Sequence, residues 1–369
     1  MANLKELSKK PDGFSPGHRL CAGCGIPIIP KLLYKVTDYD IVVASATGCF
    51  EVATTIYPYT SWLKPFVHSA FENAAATISG VEAMYQSLKK QGKIPANRKL
   101  KFVAFGGDGG TYDIGLQSLS GALERGHDIV YICYDNGAYM NTGIQRSSAT
   151  PYGAATTTSP AGKVIPGKMQ RRKDLTNIAL AHHIEYAAQT AVSHWNDLAT
   201  KLQKGLDLDG PAFICVMSPC VPGWMYPSDQ SIEVTRMAVE TGYWPLFEMD
   251  HGVFRVNYKP KQKLPVADWL KLQGRFRHLF RPEYTYVIEE IQRQVDDYWE
   301  YLAHMEQAFP APQKCSYPRG AATRPPGFIV CSPLAPPVSG AASARHDGCA
   351  SIVPTEANFA VAAADPPSG

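Results

Sequence analysis

Lys101-Phe102-Val103-Ala104-Phe105-Gly106-Gly107-Asp108-Gly109-Gly110, with Asp135-Asn136 downstream, is the stretch on which the reading of the fold turns. Lys101 to Phe105 alternates into an apolar strand, glycines crowd one aspartate at its carboxyl end, and Tyr112 to Arg125 carries Ile114, Leu116, Leu119 and Leu123 at helical spacing. The order is strand, tight turn, helix. Such a turn presents bare backbone N–H groups and a helix N-terminus to a phosphate. A carboxylate in the same turn repels that phosphate unless a hard cation lies between them, and Mg²⁺ with oxygen ligands is the natural bridge. Asp128 to Tyr134 reads as a second buried strand ending at Asn136. The 26 residues between Gly109 and Asn136 suffice for a crossover helix and its return strand. Asp108 and Asn136 are therefore expected side by side.

Gly107-Asp108-Gly109 followed at this distance by Asn136 resembles the thiamine diphosphate motif of the thiamine-dependent enzyme superfamily. The resemblance implies that Asp108, the Asn136 side chain and the Ala138 backbone carbonyl hold Mg²⁺. The competing reading is an Asp-Gly turn dipeptide beside an unrelated strand-end asparagine.

The chain has 369 residues, 45% of them hydrophobic, and a net charge of +3. That length buries one large core or two modest ones. The near-neutral charge and the absence of a basic stripe interleaved with aromatics argue against nucleic acid or an anionic membrane as partner. Met1 to Lys10 lacks the apolar core of a signal peptide, and no uninterrupted apolar run reaches the ~18 residues of a spanning helix. A cytoplasmic protein is expected, in which the nine cysteines are thiols or metal ligands rather than disulfides.

Taken in order, Cys21-Ala22-Gly23-Cys24 is a C-x-x-C loop following the turn residues Pro11 to Gly17. Two thiolates at this spacing grip one metal centre. A redox disulfide would want a regular helix immediately after it, which Pro27 and Pro30 disfavour. Asp40 to Ser45 is a strand that breaks into Thr47-Gly48-Cys49. Tyr57 to Ser69 reads as an aromatic loop near the site, in which His68 either touches a ligand or is a hydrogen-bonded structural histidine. Phe71 to Gln91 is a small-residue helix suited to packing on a sheet. Gly137 to Arg172 is a long polar stretch of the kind that is functional or disordered. Its start, Ala138, Tyr139, Met140, Asn141 and Thr142, forms the wall of the cofactor pocket beside the Mg²⁺ ligands. Lys168 to Lys173 is a cationic run, read either as a solvated lead into the helix Asp174 to His182 or as a contact for an anionic partner or coenzyme A.

Helix and strand then alternate again: Ile184 to Gln189, His194 to Leu206, and Pro211 to Met217 ending in Ser218-Pro219-Cys220. Cys133 and Cys215 fall inside apolar runs and read as core thiols. Cys49, Asp108, Asn136 and Cys220 thus all follow apolar strands of one mostly parallel sheet, along whose carboxyl rim ligands gather. Ser228 to Thr241 reads as a helix, Leu246 to Tyr258 as a hairpin around His251-Gly252, Val266 to Leu272 as a short helix and Tyr284 to Phe309 as a long one. The expected organisation is an N-terminal segment with the C-x-x-C loop (1–39), an α/β domain of mostly parallel sheet flanked by helices (40–245), a hairpin and helical extension (246–309), and a low-complexity tail (310–369). The tail is expected to be disordered, with the composition of a read-through or frame-altered extension, and its Cys315, Cys331 and Cys349 match no ligand spacing.

Cys21, Cys24, Cys49 and Cys220 allow a Cys₄ zinc site, but structural zinc draws on two close pairs, whereas here two ligands come from separate strand ends beside a thiamine site. A cubane cluster gives that position an electron-transfer purpose. Together, the C-x-x-C, Thr47-Gly48-Cys49, the Gly-Asp-Gly loop, Asp135-Asn136, Asn141-Thr142-Gly143-Ile144-Gln145 and Ser218-Pro219-Cys220 resemble the beta subunit of 2-oxoacid:ferredoxin oxidoreductases, most nearly the pyruvate branch. The resemblance runs from about Pro16 to about Phe309.

The resemblance implies a thiamine diphosphate-binding fold, a [4Fe–4S] cluster on Cys21, Cys24, Cys49 and Cys220, and a cofactor pocket of Thr47, Gly48, Cys49, His68, Gly107, Asp108, Gly109, Gly110, Asn136, Ala138, Tyr139, Met140 and Asn141. Asn141 and Thr142 are the candidates for contacting the reacting region. The implied reaction is oxidative decarboxylation of pyruvate with coenzyme A, its electrons passing through the cluster to ferredoxin. The glutamate that thiamine enzymes place on the aminopyrimidine is missing, so an alpha subunit is expected to supply it and the substrate pocket, with gamma and delta (ferredoxin-like) subunits alongside. The alternatives are a branched-chain 2-oxo acid, indolepyruvate, 2-oxoglutarate or oxalate as substrate, a non-oxidative thiamine decarboxylase or synthase, or a non-catalytic zinc-stabilised subunit.

Overall fold

The computed structural model describes residues 3–311. The expectations for the tail and its three cysteines fall outside the described residues, apart from its first two positions.

Eight strands form one sheet: β1 (Asp40–Ala46), β2 (Phe66–Ser69), β3 (Leu100–Gly107), β4 (Ile129–Asp135), β5 (Tyr186–Ala191), β6 (Ala212–Met217), β7 (Leu246–Asp250) and β8 (Val253–Tyr258). Their order is β2-β1-β3-β4-β6-β5-β7-β8. The pairs from β2 across to β5 are parallel, and the hairpin β7–β8 adds two antiparallel strands onto β5, with Tyr186 opposite Asp250. The hairpin expected after residue 245 therefore continues the sheet.

Side chains alternate across the pleat into two cores. Val103 and Phe105, with Val130, Ile132 and Tyr134, face one side, where the helices Ile28–Lys35 and Trp195–Asp207 cover them through Leu32, Leu33, Leu198 and Leu202. Phe102 and Ala104, with Ile129, Tyr131 and Cys133, face the other, covered by Ala74–Lys90, Leu116–Glu124, Ser231–Glu240 and Thr285–Ala308. Each fully buried apolar side chain of this kind contributes ~1.5–3 kcal/mol. The long helix Thr285–Ala308 buries Val287, Ile291, Val295 and Leu302 against its own domain, so its apolar stripe is already covered. Among the described residues no helix is long and apolar enough to cross a membrane.

β2 was hidden in the stretch read as a loop. Its four residues expose Val67 and His68, so no apolar alternation marks it, and only pairing with β1 makes it a strand. The helix after the C-x-x-C loop forms despite its prolines: Pro27 is the N-cap and Pro30 lies in the first turn, where a missing N–H leaves no intrahelical bond unmade. The segment after Asp108 winds at once, as a wide π turn over Gly109–Ile114. Gly115 permits this, because a Cβ there would run into the Gly110 carbonyl oxygen.

β1 sends the chain outward to β2, whereas β3 sends it inward to β4. The divergence opens a crevice between the carboxyl ends of β1 and β3, the place where open α/β sheets bind ligands. Close packing under that crevice depends on Gly106, whose missing Cβ leaves room for the Tyr131 hydroxyl and for Thr111 Oγ1, 2.6 Å from the position a Cβ would take. Gly106→Ala is expected to destabilise the fold by about 1–3 kcal/mol in denaturant unfolding. Tyr131→Phe, which removes the first obstacle, should recover much of the loss; equal losses in both backgrounds would refute the packing account.

Candidate active site

Asp108 follows the last residue of β3 and is 1% exposed. Its carboxylate accepts the Ser147 hydroxyl at 2.5 Å and the Asn136 backbone N–H at 3.2 Å. Burial, and then the charge of Asp135, push its carboxyl up from the ordinary range; the bonds from Ser147 and Asn136 offset this only in part. Such a carboxyl is short of positive charge. Asn136 is fixed from behind, its backbone carbonyl accepting the Trp224 indole N–H at 2.6 Å. Gly137 turns with φ +78°, in the left-handed region that glycine adopts at little cost, and its carbonyl accepts the Thr150 hydroxyl at 2.8 Å. The turn carries Ala138 back toward the aspartate.

The Asn136 side-chain oxygen then faces only acceptors, the Ala138 carbonyl oxygen at 3.0 Å and Asp108 Oδ1 at 2.8 Å. Exchanging the amide oxygen and nitrogen would turn both approaches into hydrogen bonds. Left as it is, the Asn136 oxygen stands from each of the other two at the spacing of adjacent ligands on a cation with ~2.0–2.1 Å bonds in octahedral geometry, about 2.9 Å. The residues present fit Mg²⁺.

The cleft above them is lined by Thr47, Gly48, Cys49, Gly107, Asp108, Gly109, Gly110, Asn136, Ala138, Tyr139, Met140 and Asn141. Phe71 and Tyr134, which sequence reading did not single out, complete the wall. His68 is not among these lining residues; its Nε2 lies 2.7 Å from Thr47 Oγ1 and 3.5 Å from Glu51 Oε2. Thr142 is likewise outside the lining, its hydroxyl donating to Gln145 Oε1 at 2.6 Å. The loop that carries Asn141 and Thr142 is cinched by paired backbone bonds between Tyr139 and Gln145, 2.9 and 3.2 Å. Ile144 sits at φ +65°, a strained state for a β-branched residue, and its carbonyl is held by the Thr157 N–H at 3.1 Å.

The C-x-x-C loop packs on the end of β6. Gly25 N–H reaches the Pro219 carbonyl at 3.5 Å, and the Ser231 hydroxyl donates to the Gly23 carbonyl at 2.5 Å. The four thiols come close enough to feel one another. Burial first, then the neighbouring Cys220 and Cys21, hold the Cys24 thiol up at about 12; burial and the charges of Cys220, Cys24 and Cys21 do the same to Cys49, also about 12. Burial lifts Cys220 to about 11, with Cys21 adding to it. Burial thus disfavours the thiolate form of all three. Among the described residues no group of three or more Cys, His, Asp or Glu side chains is tight enough for a single ion. Four sulfurs on one zinc at ~2.3 Å would stand only about 3.8 Å apart, whereas a cubane spreads its ligands over separate irons. Four cysteine side chains are a donor set that fits a cubane, one thiolate to each iron. Cys133 and Cys215 are fully buried in the core, as expected.

Within the cationic run Arg171 is exposed and pairs with Asp297 at 3.7 Å, and Arg171, Arg172 and Lys173 line a cavity of about 500 Å³ with Tyr243, Trp244 and Tyr298, while the other cations turn inward. Lys168 is 1% exposed and donates to the carbonyls of Thr150 (2.6 Å) and Ser148 (3.1 Å), with burial pulling its ammonium down to about 8. Arg172 pairs with Asp135 at 2.6 Å and lies 4.5 Å from the centroid of Trp244. Lys173 pairs with Asp113 at 3.7 Å, and the Ser148 N–H donates to the same carboxylate at 2.9 Å. These residues brace the long loop from beneath. Sequence reading missed Ser147 and Asp113, and the partner of Arg172, because the groups they meet are remote in the chain.

The sequence matches the model of the thiamine pyrophosphate enzyme C-terminal TPP binding domain over residues 46–216. It is 52% identical over 313 residues to the pyruvate synthase subunit PorB of Thermotoga maritima, covering 83% of this chain and 97% of that one. Against the pyruvate synthase subunit PorB of Methanocaldococcus jannaschii the identity is 55% over 285 residues, 77% and 94% of the two chains. The ketoisovalerate oxidoreductase subunit VorB of Pyrococcus furiosus is 42% identical over 312 residues, 83% and 98%. An oxygen triad, a glycine-lined cleft and kinship at this level over most of both chains lead to one statement: this chain belongs to the family of the pyruvate synthase subunit PorB.

Proposed function

We propose that this chain is the beta subunit of a pyruvate:ferredoxin oxidoreductase, holding thiamine diphosphate through Mg²⁺ and a [4Fe–4S] cluster beside it. What supports the reading is the oxygen triad after β3 and β4, with Cys49 following β1, Cys220 following β6 and the C-x-x-C loop packed on the end of β6. Bound there, thiamine diphosphate supplies the nucleophilic carbon and the electron sink for decarboxylation, and the cluster accepts electrons singly.

The chain's own residues do the positioning. Asp108, Asn136 and the Ala138 carbonyl hold the metal, Ser147 orients Asp108, and the glycine turn Gly107 to Gly110 lets a diphosphate approach the backbone closely. Cys21, Cys24, Cys49 and Cys220 hold the cluster. Asn141 lines the cleft and is the stronger candidate for contacting the reacting region, while Thr142 shapes the loop through Gln145.

Pyruvate as substrate is supported by relatives bearing that name at 52% and 55% identity. The 42% match to a ketoisovalerate oxidoreductase subunit makes a branched-chain 2-oxo acid the competing substrate. That these relatives are named as subunits supports a multi-subunit assembly. In it an alpha subunit brings the aminopyrimidine glutamate and most of the substrate pocket, gamma and delta subunits stand alongside, and coenzyme A and ferredoxin are co-substrates in the cytoplasm.

Three outcomes follow. Asp108→Asn should abolish Mg²⁺-dependent retention of thiamine diphosphate, and Ser147→Ala should weaken Mg²⁺ affinity ~10–100-fold, both read by calorimetric titration; unchanged binding in either refutes the assigned role. Cys49→Ser should lower the iron content of anaerobically purified protein and its cluster absorbance, while Cys133→Ser should leave both intact. Finally, the isolated chain should show no coenzyme A-dependent oxidation of pyruvate until its partner subunits are added. Turnover by the chain alone contradicts the missing-glutamate argument.

A further inference from the structure

Buried cations in this fold face carboxylates: Arg172 pairs with Asp135, Lys101 with Asp128 and Lys201 with Asp197. Lys168 faces only carbonyls, and an ammonium can shed its proton. A guanidinium cannot. Arg275 is 2% exposed, yet among the described residues it makes no ion pair within 4.0 Å. Its Nε donates to Gln273 Oε1 at 2.9 Å, and its charge lies over aromatic faces, 4.2 Å from the centroid of Trp224, 5.0 Å from Phe276 and 5.9 Å from Trp269. Ring faces and one neutral amide compensate a buried charge only partly. Asp135 and Asp108 act on it only from beyond ion-pair distance, so it has no contacting anion of its own.

The surroundings show which anion. Trp224 ends the short helix Val221–Trp224 that follows Cys220; its backbone N–H bonds the Cys220 carbonyl at 2.9 Å, and its indole N–H bonds the Asn136 carbonyl at 2.6 Å. Gly274 N–H is tied to the Met225 carbonyl at 3.0 Å, fastening Arg275 to the same turn. A Cβ on Gly137 would come within 3.0 Å of Arg275 Nη1. The guanidinium therefore lies under the junction of the Cys220 turn and the metal-binding loop, and it does not line the cleft in which a diphosphate would lie.

We propose that Arg275 is the internal counter-charge of the iron–sulfur cluster, a positioning residue that holds the cluster's reduced form by opposing the unit of negative charge gained with each electron. The inference rests on the cluster reading above. Net charge and local electrostatics set the potential of such clusters, and a unit charge inside a poorly polarisable interior acts over several ångströms.

The test uses the full-length chain, purified anaerobically as wild type, Arg275→Met and Arg275→Lys, with iron quantified and each cluster titrated with dithionite in the presence of redox mediators under low-temperature paramagnetic resonance. Arg275→Met should keep its iron while its reduced-to-oxidised ratio at a fixed ambient potential falls on the order of tenfold, about 59 mV for a one-electron couple, and Arg275→Lys should restore most of the ratio. An unmoved potential in iron-replete Arg275→Met overturns the proposal. So does loss of thiamine diphosphate affinity with the potential unmoved, which would give the cation to the diphosphate, and so does equal loss of iron in both variants, which would make the residue structural. If Arg275→Met does not fold, Arg275→Gln is read in the same way. Wild-type protein without iron defeats the cluster reading itself, before any variant is compared.

Discussion

Two carboxylates buried within reach of one another, Asp108 and Asp135, are the constraint around which this structure is arranged. Two such charges in a weakly polarisable interior cannot both persist without positive partners. Asp135 has one in Arg172, at 2.6 Å. Among the described residues the hydrogen bonds to the Asp108 carboxylate come from a hydroxyl and an N–H, so its charge lacks the partner that the proposed divalent cation would supply. The same divalent charge would let a diphosphate approach an acidic turn.

The neutralisation of Asp135 accounts for the order of the long loop. Gly137 to Arg172 contains no helix or strand, and a stretch of that length ordinarily lacks the bonds to hold one shape. Here its two ends are pinned by the site. Ser147 and Thr150 bind Asp108 and Gly137 at the front, while Lys168, Arg172 and Lys173 reach back under it to carbonyls and carboxylates. Charge that looks solvated along the chain is spent inside, where each cation satisfies acceptors that would otherwise be buried bare. Trp224 extends the arrangement sideways, joining the Cys220 turn to the backbone of Asn136 with one indole. The metal loop and the cysteine loop are thus parts of a single packed unit.

Much of this was legible before any coordinates. The glycine-flanked Asp108, the strand-end Asn136, Cys49 and Cys220, and the alternation of strand and helix are local patterns, written in neighbouring residues, and each element appears within a few positions of its expected bounds. What escaped was non-local. β2 is a strand only because β1 lies beside it. The hairpin Leu246–Tyr258 joins the main sheet through a backbone register with β5 that no periodicity announces. The partners of two candidate site residues were likewise not announced: Thr142 bonds Gln145 across the cinched loop, and His68, on β2, meets Thr47 at the end of β1.

The sequence by itself determined the sheet, its carboxyl rim and the chemical types gathered there, because alternation, glycine turns and strand-end polar residues are consequences of backbone geometry acting over a few residues. Tertiary structure alone decided how the buried charges are balanced: that Arg172 meets Asp135, that Ser147 meets Asp108, and that Arg275 meets no carboxylate. Electrostatic pairing depends on distance in space, and a guanidinium far along the chain carries no local mark of the partner it will find or lack.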